Sequence, residues 1–79
     1  MWEKIINDKT EIAYGEPNTN RIIRAEKVRR GWWAVQTGIE KIGKPNERVY
    51  AQLELHTNAI SKKHALEIIK DYIEEQEAN

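Results

Sequence analysis

One stretch, residues 48–57, alternates between apolar and polar side chains, and this pattern restricts the folds open to the chain. Its apolar positions are Val49, Ala51, Leu53 and Leu55. The polar positions between them are Tyr50, Gln52, Glu54 and His56. Because successive side chains of a strand point to opposite faces, one side of this segment is expected to be packed and the other open. The pattern predicts an antiparallel sheet with one covered face and one open face.

The element that covers the sheet is predicted at the C-terminal end of the chain. Apolar side chains recur there at three- and four-residue spacing, which predicts an amphipathic helix over residues 61–76, followed by a tail at 77–79. They are Ala65, Leu66, Ile68, Ile69, Tyr72 and Ile73. Ser61 is the predicted N-cap. Lys62 and Lys63 follow in the first turn, where they oppose the helix dipole slightly.

The rest of the chain reads as strands and loops within one domain, residues 1–79, of which residues 1–57 build the sheet. Residues 2–6 and 9–14 predict a hairpin around a two-residue turn at Asn7 and Asp8. Residues 15–20 and 43–47 predict loops. Residues 21–30 fit a strand or a helical turn, and a strand is favoured because Gly31 suits a tight turn before an extended segment at 32–42. The predicted class is α+β: an antiparallel meander of three to five strands with one C-terminal helix packed on one face.

Two adjacent tryptophans occupy the start of the 32–42 segment. In an extended chain Trp32 and Trp33 point to opposite faces, so they cannot share one packed layer. Pairing Trp33 and Val35 with the core leaves Trp32 on the open face. The alternative is that the N-terminal hairpin covers both indoles.

Charge is distributed unevenly along the sequence although the formal net charge is zero. The balance is −2 over residues 1–20, +5 over 21–48, +1 over 49–66 and −4 over 67–79. A basic middle segment is able to face an anionic partner while the acidic end stays away from it. The alternative is that opposite charges simply occupy different solvated faces.

The residues offer little for catalysis. The chain has no cysteine, one serine and two histidines, and its glycines form no phosphate-binding pattern. His56 and His64 would bind a metal only if folding brought them together with a carboxylate. We therefore predict no enzyme activity, no cofactor and no metal site. Without cysteine, a signal-peptide pattern or an apolar run of about 20 residues, the chain is predicted to be a complete cytoplasmic protein with no membrane contact.

Short motifs resemble two families of nucleic-acid-binding domains. They are Gly31-Trp32-Trp33-Ala34-Val35, Gly43-Lys44, Thr57 and Ser61-Lys62-Lys63-His64-Ala65-Leu66. Their order over residues 31–73 resembles the arm-type DNA-binding domain at the N-terminus of phage and transposon integrases, a three-stranded sheet with a C-terminal helix. The helix start is also similar to the second helix of double-stranded-RNA-binding domains, and that similarity implies that the paired lysines meet phosphates.

The leading hypothesis is a small binding module, of phage or mobile-element origin, that binds DNA or RNA through the open sheet face. Aromatic rings on a sheet stack on unpaired bases while cations pair with phosphates. The predicted contact residues are Arg24, Arg29, Arg30, Trp32, Lys41, Tyr50, Lys62 and Lys63. Two alternatives stay open: an inhibitor or adaptor of a host protein, since aromatic and arginine side chains also dominate protein interfaces, or a homodimer.

Overall fold

The computed structural model describes residues 1–41 and 49–78, and within them the chain forms five strands and one helix. The elements are β1 Glu3–Asn7, β2 Glu11–Glu16, β3 Arg21–Arg29, β4 Trp32–Lys41, β5 Val49–Ala59 and α1 Lys62–Glu77. The strands form one antiparallel sheet in chain order, β1-β2-β3-β4-β5. The predicted α+β meander with a C-terminal helix is confirmed. The loop predicted at 43–47 lies outside the described residues.

Strand β3 is the centre of the sheet, which decides between the two conformations that residues 21–30 allowed. It pairs with β2 from Glu16↔Arg21 to Glu11↔Glu26 and with β4 along its whole length. The β-branched side chains of Ile22 and Ile23 suit this position because they pack well on a pleated surface. Both are buried. The favoured strand prediction is confirmed.

The first hairpin forms as predicted, but its turn is longer than expected. Strand β1 ends at Asn7 and β2 begins at Glu11, so the turn consists of residues 8–10 and not of Asn7 and Asp8. The Asp8 carboxylate accepts hydrogen bonds from the backbone N–H groups of Thr10 and Glu11, at 2.9 and 2.8 Å. An aspartate side chain that bonds to the backbone two residues on replaces the glycine that a two-residue turn prefers.

The loop predicted at residues 15–20, by contrast, is shorter than expected. Gly15 and Glu16 belong to strand β2, and the turn occupies residues 17–20. A Cβ atom at Gly15 would lie 2.9 Å from Ile5 Cδ1, so the missing side chain lets Ile5 pack directly on the strand. The glycine therefore serves close packing and not a turn.

Helix α1 begins at the predicted cap and crosses one face of the sheet. Ser61 has extended backbone angles, and its Oγ accepts a hydrogen bond from the N–H of His64 at 3.1 Å. The helix buries Ala65 and Ile69 in the sheet, with Leu66, Ile68, Tyr72 and Ile73 packed around them. Their sheet partners are Ile12, Ile23, Ala25, Trp33, Val35 and Ala59. Among the described residues, no helix has the length and apolar character needed to cross a membrane.

The prediction that the side chains of β5 alternate strictly between the two faces of the sheet is wrong. Its pairing with β4 shifts register twice, between Thr37 and Ile39 and between Val35 and Gln36. At each shift β5 has one residue more than β4, and this extra residue moves the side chains that follow it to the opposite face of the sheet. Leu55 consequently pairs with Gln36 on the side away from the helix, where it is 61% exposed.

The reversal affects three other side chains that the alternation had assigned to the wrong face. The backbone of Gln52 has a φ of 53°, which marks the first irregularity. Leu53 follows it and lies over Gly38 on the open side, where a Cβ atom on Gly38 would meet Leu53 Cδ2 at 2.9 Å. Glu54 pairs with Thr37, and the His56 ring contacts Tyr72 of the helix at 5.4 Å between centroids. Tyr50 remains on the open side, as predicted.

We expect Leu55→Ala to change the free energy of unfolding by no more than about 0.5 kcal/mol, because its side chain is already in water. A strict alternation would place Leu55 in the core and predict a loss of about 2–5 kcal/mol. Ile69→Ala is the matched control, since Ile69 is fully buried and should show the larger loss. Urea denaturation followed by circular dichroism measures both. A large loss of stability for Leu55→Ala would mean that Leu55 is packed in the core, as an uninterrupted strand requires.

Candidate functional site

The centre of the open face is occupied by a closed network around Arg24. Its guanidinium donates to Glu11 Oε2 at 2.7 Å and to Gln36 Oε1 at 2.8 Å, and it also pairs with Glu26. It lies 5.8 Å from the centre of the Tyr50 ring. The Arg24 side chain is only 11% exposed. The predicted phosphate contact at Arg24 is therefore already neutralised by two carboxylates.

The network also explains why part of the open face is dry. Ala13 is the cross-strand partner of Arg24 and is fully buried although the helix lies on the opposite side. The long Arg24 side chain projects on this same side and reaches partners on both neighbouring strands, Glu11 on β2 and Gln36 on β4. Burial by itself would lower the pKa of the guanidinium, but the hydrogen bonds to Glu11 and Glu26 outweigh that effect and raise it. Arg24 stays charged and acts as a structural bridge.

The two tryptophans divide as the alternation of β4 predicts. Trp33 is 4% exposed and packs in the core beneath the helix, whereas Trp32 is 38% exposed. The Trp32 indole N–H donates to Asn58 Oδ1 at 2.9 Å. The guanidinium of Arg29 lies 5.4 Å from the centre of the Trp32 ring. Trp32 is thus an exposed ring held in one orientation by two neighbours.

The meander gathers cationic side chains at one end of the sheet. This end, which we call the basic end, contains the β1–β2 turn, the β3–β4 turn, the last residues of β5 and the start of α1. The Lys27 N–H donates to the Thr10 carbonyl at 2.9 Å, which joins the first turn to the end of β3. Trp33 pairs with Ala59, which brings the start of the helix alongside. The cations assembled there are Lys9, Lys27, Arg29, Arg30, Lys62 and Lys63.

The basic end carries an excess of positive charge. Asp8 lies near Lys62, and Glu67 lies one helical turn beyond Lys63. Glu11 and Glu26 border this end as well, but both are bonded to Arg24, so the six cations still exceed the carboxylates around them. Hydrogen bonds from the backbone of Thr10 and Glu11 hold the pKa of Asp8 below its usual range. The Asp8 carboxylate therefore serves to stabilise the β1–β2 turn. The first turn of α1 has no acidic residue, and the positive end of the helix dipole points the same way.

The opposite end of the sheet is acidic, and it contains one of the predicted contact residues. Lys41 ends β4 there and lines a cleft of about 310 Å³ together with Lys4. The acidic side chains around this cleft are Glu3, Glu16 and Glu40. The N-terminal amine pairs with Glu16 at 2.6 Å, and this contact lowers the pKa of the Glu16 carboxyl. Lys41 is therefore separated from the basic end by the length of the sheet.

Folding thus brings five of the eight predicted contact residues together and separates the other three. The five are Arg29, Arg30, Trp32, Lys62 and Lys63. Arg24 and Tyr50 belong to the closed network, and Lys41 belongs to the acidic end. The sequence reasoning missed Lys9, Lys27 and Asn58, because only the strand pairing brings them to this end.

The two histidines have separate structural contacts. His64 Nδ1 accepts a hydrogen bond from the Ile60 N–H at 3.2 Å, next to the helix cap, while His56 packs on Tyr72. Within residues 1–41 and 49–78, no group of three or more side chains suited to a metal ion is found.

Comparison of the chain with protein-family models, curated proteins and solved structures finds no match. The resemblance of residues 31–73 to integrase arm-type domains, and of the helix start to double-stranded-RNA-binding domains, stays a prediction.

We expect Arg24→Met to lower the free energy of unfolding by about 1–2 kcal/mol, because it leaves Glu11 and Glu26 side by side without their shared cation. The expected loss of stability is small for a buried ion pair because both glutamates are partly exposed, and solvent screens their charges. Arg30→Met, in an exposed turn, is the control and should change stability by less than about 0.5 kcal/mol. Urea denaturation, with Glu11→Gln added as a double-mutant cycle, measures the coupling. A coupling energy of zero between Arg24 and Glu11 would mean that the two side chains do not interact and that Arg24 is available to bind phosphate.

Proposed function

We propose that this protein is a non-enzymatic nucleic-acid-binding protein that contacts the phosphate backbone through its basic end. The observation that carries this proposal is the convergence of six cations from three separate segments of the chain at one end of the sheet. The chain has zero net charge, and its fold adds Lys9, Lys62 and Lys63 to the cations around the β3–β4 turn. A local excess of lysine and arginine is the electrostatic footprint of a phosphate-binding surface.

The start of the helix supports the same proposal. Lysines in a first turn oppose the helix dipole by about 0.3–1 kcal/mol, and acidic residues would be more stable there. Lys62 and Lys63 instead add their charge to the exposed N–H groups of the helix start. A position where a sequence departs from the locally stable choice is often a functional one.

The open face has a smaller role in this proposal than the sequence suggested. Its central cation, Arg24, is bound to Glu11 and Glu26, so the face has little free positive charge for a polyanion. Trp32 differs because it lies where β4 begins, beside Arg29 and close to the basic end. We therefore assign the phosphate contacts to the end of the sheet and retain Trp32 as an aromatic contact at its margin.

Salt dependence tests the phosphate contacts directly. We expect affinity for an oligonucleotide to fall linearly with salt on logarithmic axes, with a slope near −4 on a single strand if all six cations engage. The double variant Lys62→Ala/Lys63→Ala should reduce that slope by about 1.4 and weaken binding by about ten-fold or more at 0.1 M salt. Fluorescence anisotropy of a labelled oligonucleotide measures both quantities.

Lys4→Ala/Lys41→Ala is the matched control, because it removes the same charge from exposed lysines at the acidic end. We expect it to leave the slope unchanged. An equal loss in both double variants would mean that overall charge, and not the basic end, governs binding. An absence of binding by the unmodified protein at 20 mM salt would refute the proposed function.

A second candidate, a protein-binding inhibitor or adaptor, is favoured by a different observation. Leu53 and Leu55 are 39% and 61% exposed on the open face, the side from which Trp32 also projects. Aromatic and aliphatic side chains of this kind anchor protein interfaces. The partner in this candidate is a host protein or a second copy of the chain.

Affinity capture from a host lysate, with and without nuclease, separates the two candidates. If nucleic acid is the ligand, captured material is lost on nuclease treatment and is reduced for Lys62→Ala/Lys63→Ala. If a protein is the ligand, one stoichiometric band survives nuclease and is lost with Leu53→Ser/Leu55→Ser. Light scattering at high concentration identifies the homodimer, which a strictly monomeric mass would exclude.

A further inference from the structure

Trp32 is an exposed ring at the margin of the basic end, and two neighbours contact it. Its indole N–H is fixed to Asn58 Oδ1 at 2.9 Å, and the Arg29 guanidinium lies 5.4 Å from its centre. The ring is nevertheless 38% exposed. We propose that Trp32 is a stacking platform for an unpaired base, which makes single-stranded nucleic acid the preferred ligand; this inference rests on the proposed function.

The two neighbours of Trp32 prepare the ring for stacking. An exposed tryptophan normally loses rotational freedom when it binds a ligand, and that loss weakens the complex. The bond to Asn58 restricts the ring before any ligand arrives, because Asn58 lies on β5 and pairs through Ala34 with the same strand that carries Trp32. The platform is therefore held between two paired strands and not on a free loop.

Arg29 gives the platform its link to phosphate. Because the guanidinium lies over one face of the ring, the proposed base stacks on the other face. The guanidinium keeps its charge and its outward N–H groups, so it is able to pair with the phosphate of that nucleotide. Arg29 ends β3, and Arg30 lies in the tight turn with Gly31, whose φ of 80° is the left-handed conformation that glycine adopts at no steric cost. Two cations therefore lie within three residues of the stacking ring in the sequence.

A duplex does not satisfy this arrangement. Its bases are already stacked on one another, and a ring that enters between them must first separate a base step at a cost of a few kcal/mol. Unpaired bases of every type present a free π-face, and stacking on an aromatic side chain is tolerant of sequence. Trp32 therefore adds affinity to a single strand and little to a duplex, whereas the cations of the basic end act on both.

The test compares the unmodified protein and Trp32→Ala on a 15-nucleotide oligothymidine, the matching oligouridine and a 15-base-pair duplex. We expect Trp32→Ala to weaken binding to both single strands by about 5- to 150-fold. Its affinity for the duplex should change less than two-fold. Tryptophan emission gives a second readout, because Trp33 is buried and Trp2 is half-buried, so stacking should quench mainly the Trp32 signal.

Two control variants identify stacking as the cause. Trp32→Phe keeps an aromatic ring but loses the N–H that bonds Asn58. Its single-strand affinity should therefore lie between those of the unmodified protein and Trp32→Ala. Leu55→Ala removes an exposed apolar side chain from the same face and should leave affinity unchanged. Circular dichroism verifies that each variant is folded, as expected for changes at exposed positions.

The outcomes separate this inference from the function on which it rests. Equal binding of single strand and duplex, or an unchanged affinity in Trp32→Ala while Lys62→Ala/Lys63→Ala loses binding, would overturn the stacking platform and leave the basic end intact. A loss in Leu55→Ala as large as that in Trp32→Ala would also overturn it, since the contact would then be a general apolar one. A protein that binds neither ligand at low salt would refute both proposals.

Discussion

The burial of Ala65 and Ile69 against the sheet is the interaction on which the rest of the structure depends. These two positions lie one helical turn apart, so the helix must run across the centre of the sheet to bury both. Its start is then fixed next to Ala59, at the end where β1–β2 and β3–β4 make their turns. Lys62 and Lys63 share a surface with Arg29 and Arg30 as a geometric consequence of apolar packing.

An antiparallel meander sorts charge by the order of its turns. Alternate turns lie at opposite ends of the sheet, so a chain whose cations cluster around every second turn becomes polar along the strand direction. Here the third turn and the start of the helix are basic and the first turn adds Lys9 beside Asp8, while the second turn and the end of the helix lie among carboxylates. Zero net charge is thus compatible with a strongly positive surface, and the sum over the sequence conceals it.

The sequence predicted the features that depend on near neighbours along the chain. Helix α1 and its Ser61 cap follow from spacing within a few residues, and the opposite facing of Trp32 and Trp33 follows from the geometry of any strand. The faces of β5 could not be predicted, because its irregularities reverse the facing of Leu55 without any mark in the apolar pattern. Register shifts are decided by pairing with β4, which is a tertiary property.

The arginines illustrate the same limit at the candidate site. Arg24 and Arg29 look alike in sequence, yet one is bonded to Glu11 on the neighbouring strand and the other projects beside an exposed ring. What separates their roles is a partner thirteen residues away, which only the β2–β3 register identifies. Lys9 and Lys27 joined the site for the same reason, since a backbone hydrogen bond between strands unites their neighbourhoods.

The irregularities of β5 have a consequence for how the molecule behaves at high concentration. β5 is an edge strand, and its eleven residues would form a long template for the addition of a foreign strand if they were straight. The positive φ of Gln52 and the second register shift near His56 divide that outer row into runs of about three residues, too short for the six or seven that cross-β stacking uses. The opposite edge, β1, is interrupted in the same way at Ile5. The distortions that make the faces of β5 unpredictable from its sequence are thus of the kind that disfavours the addition of a further strand at a sheet edge.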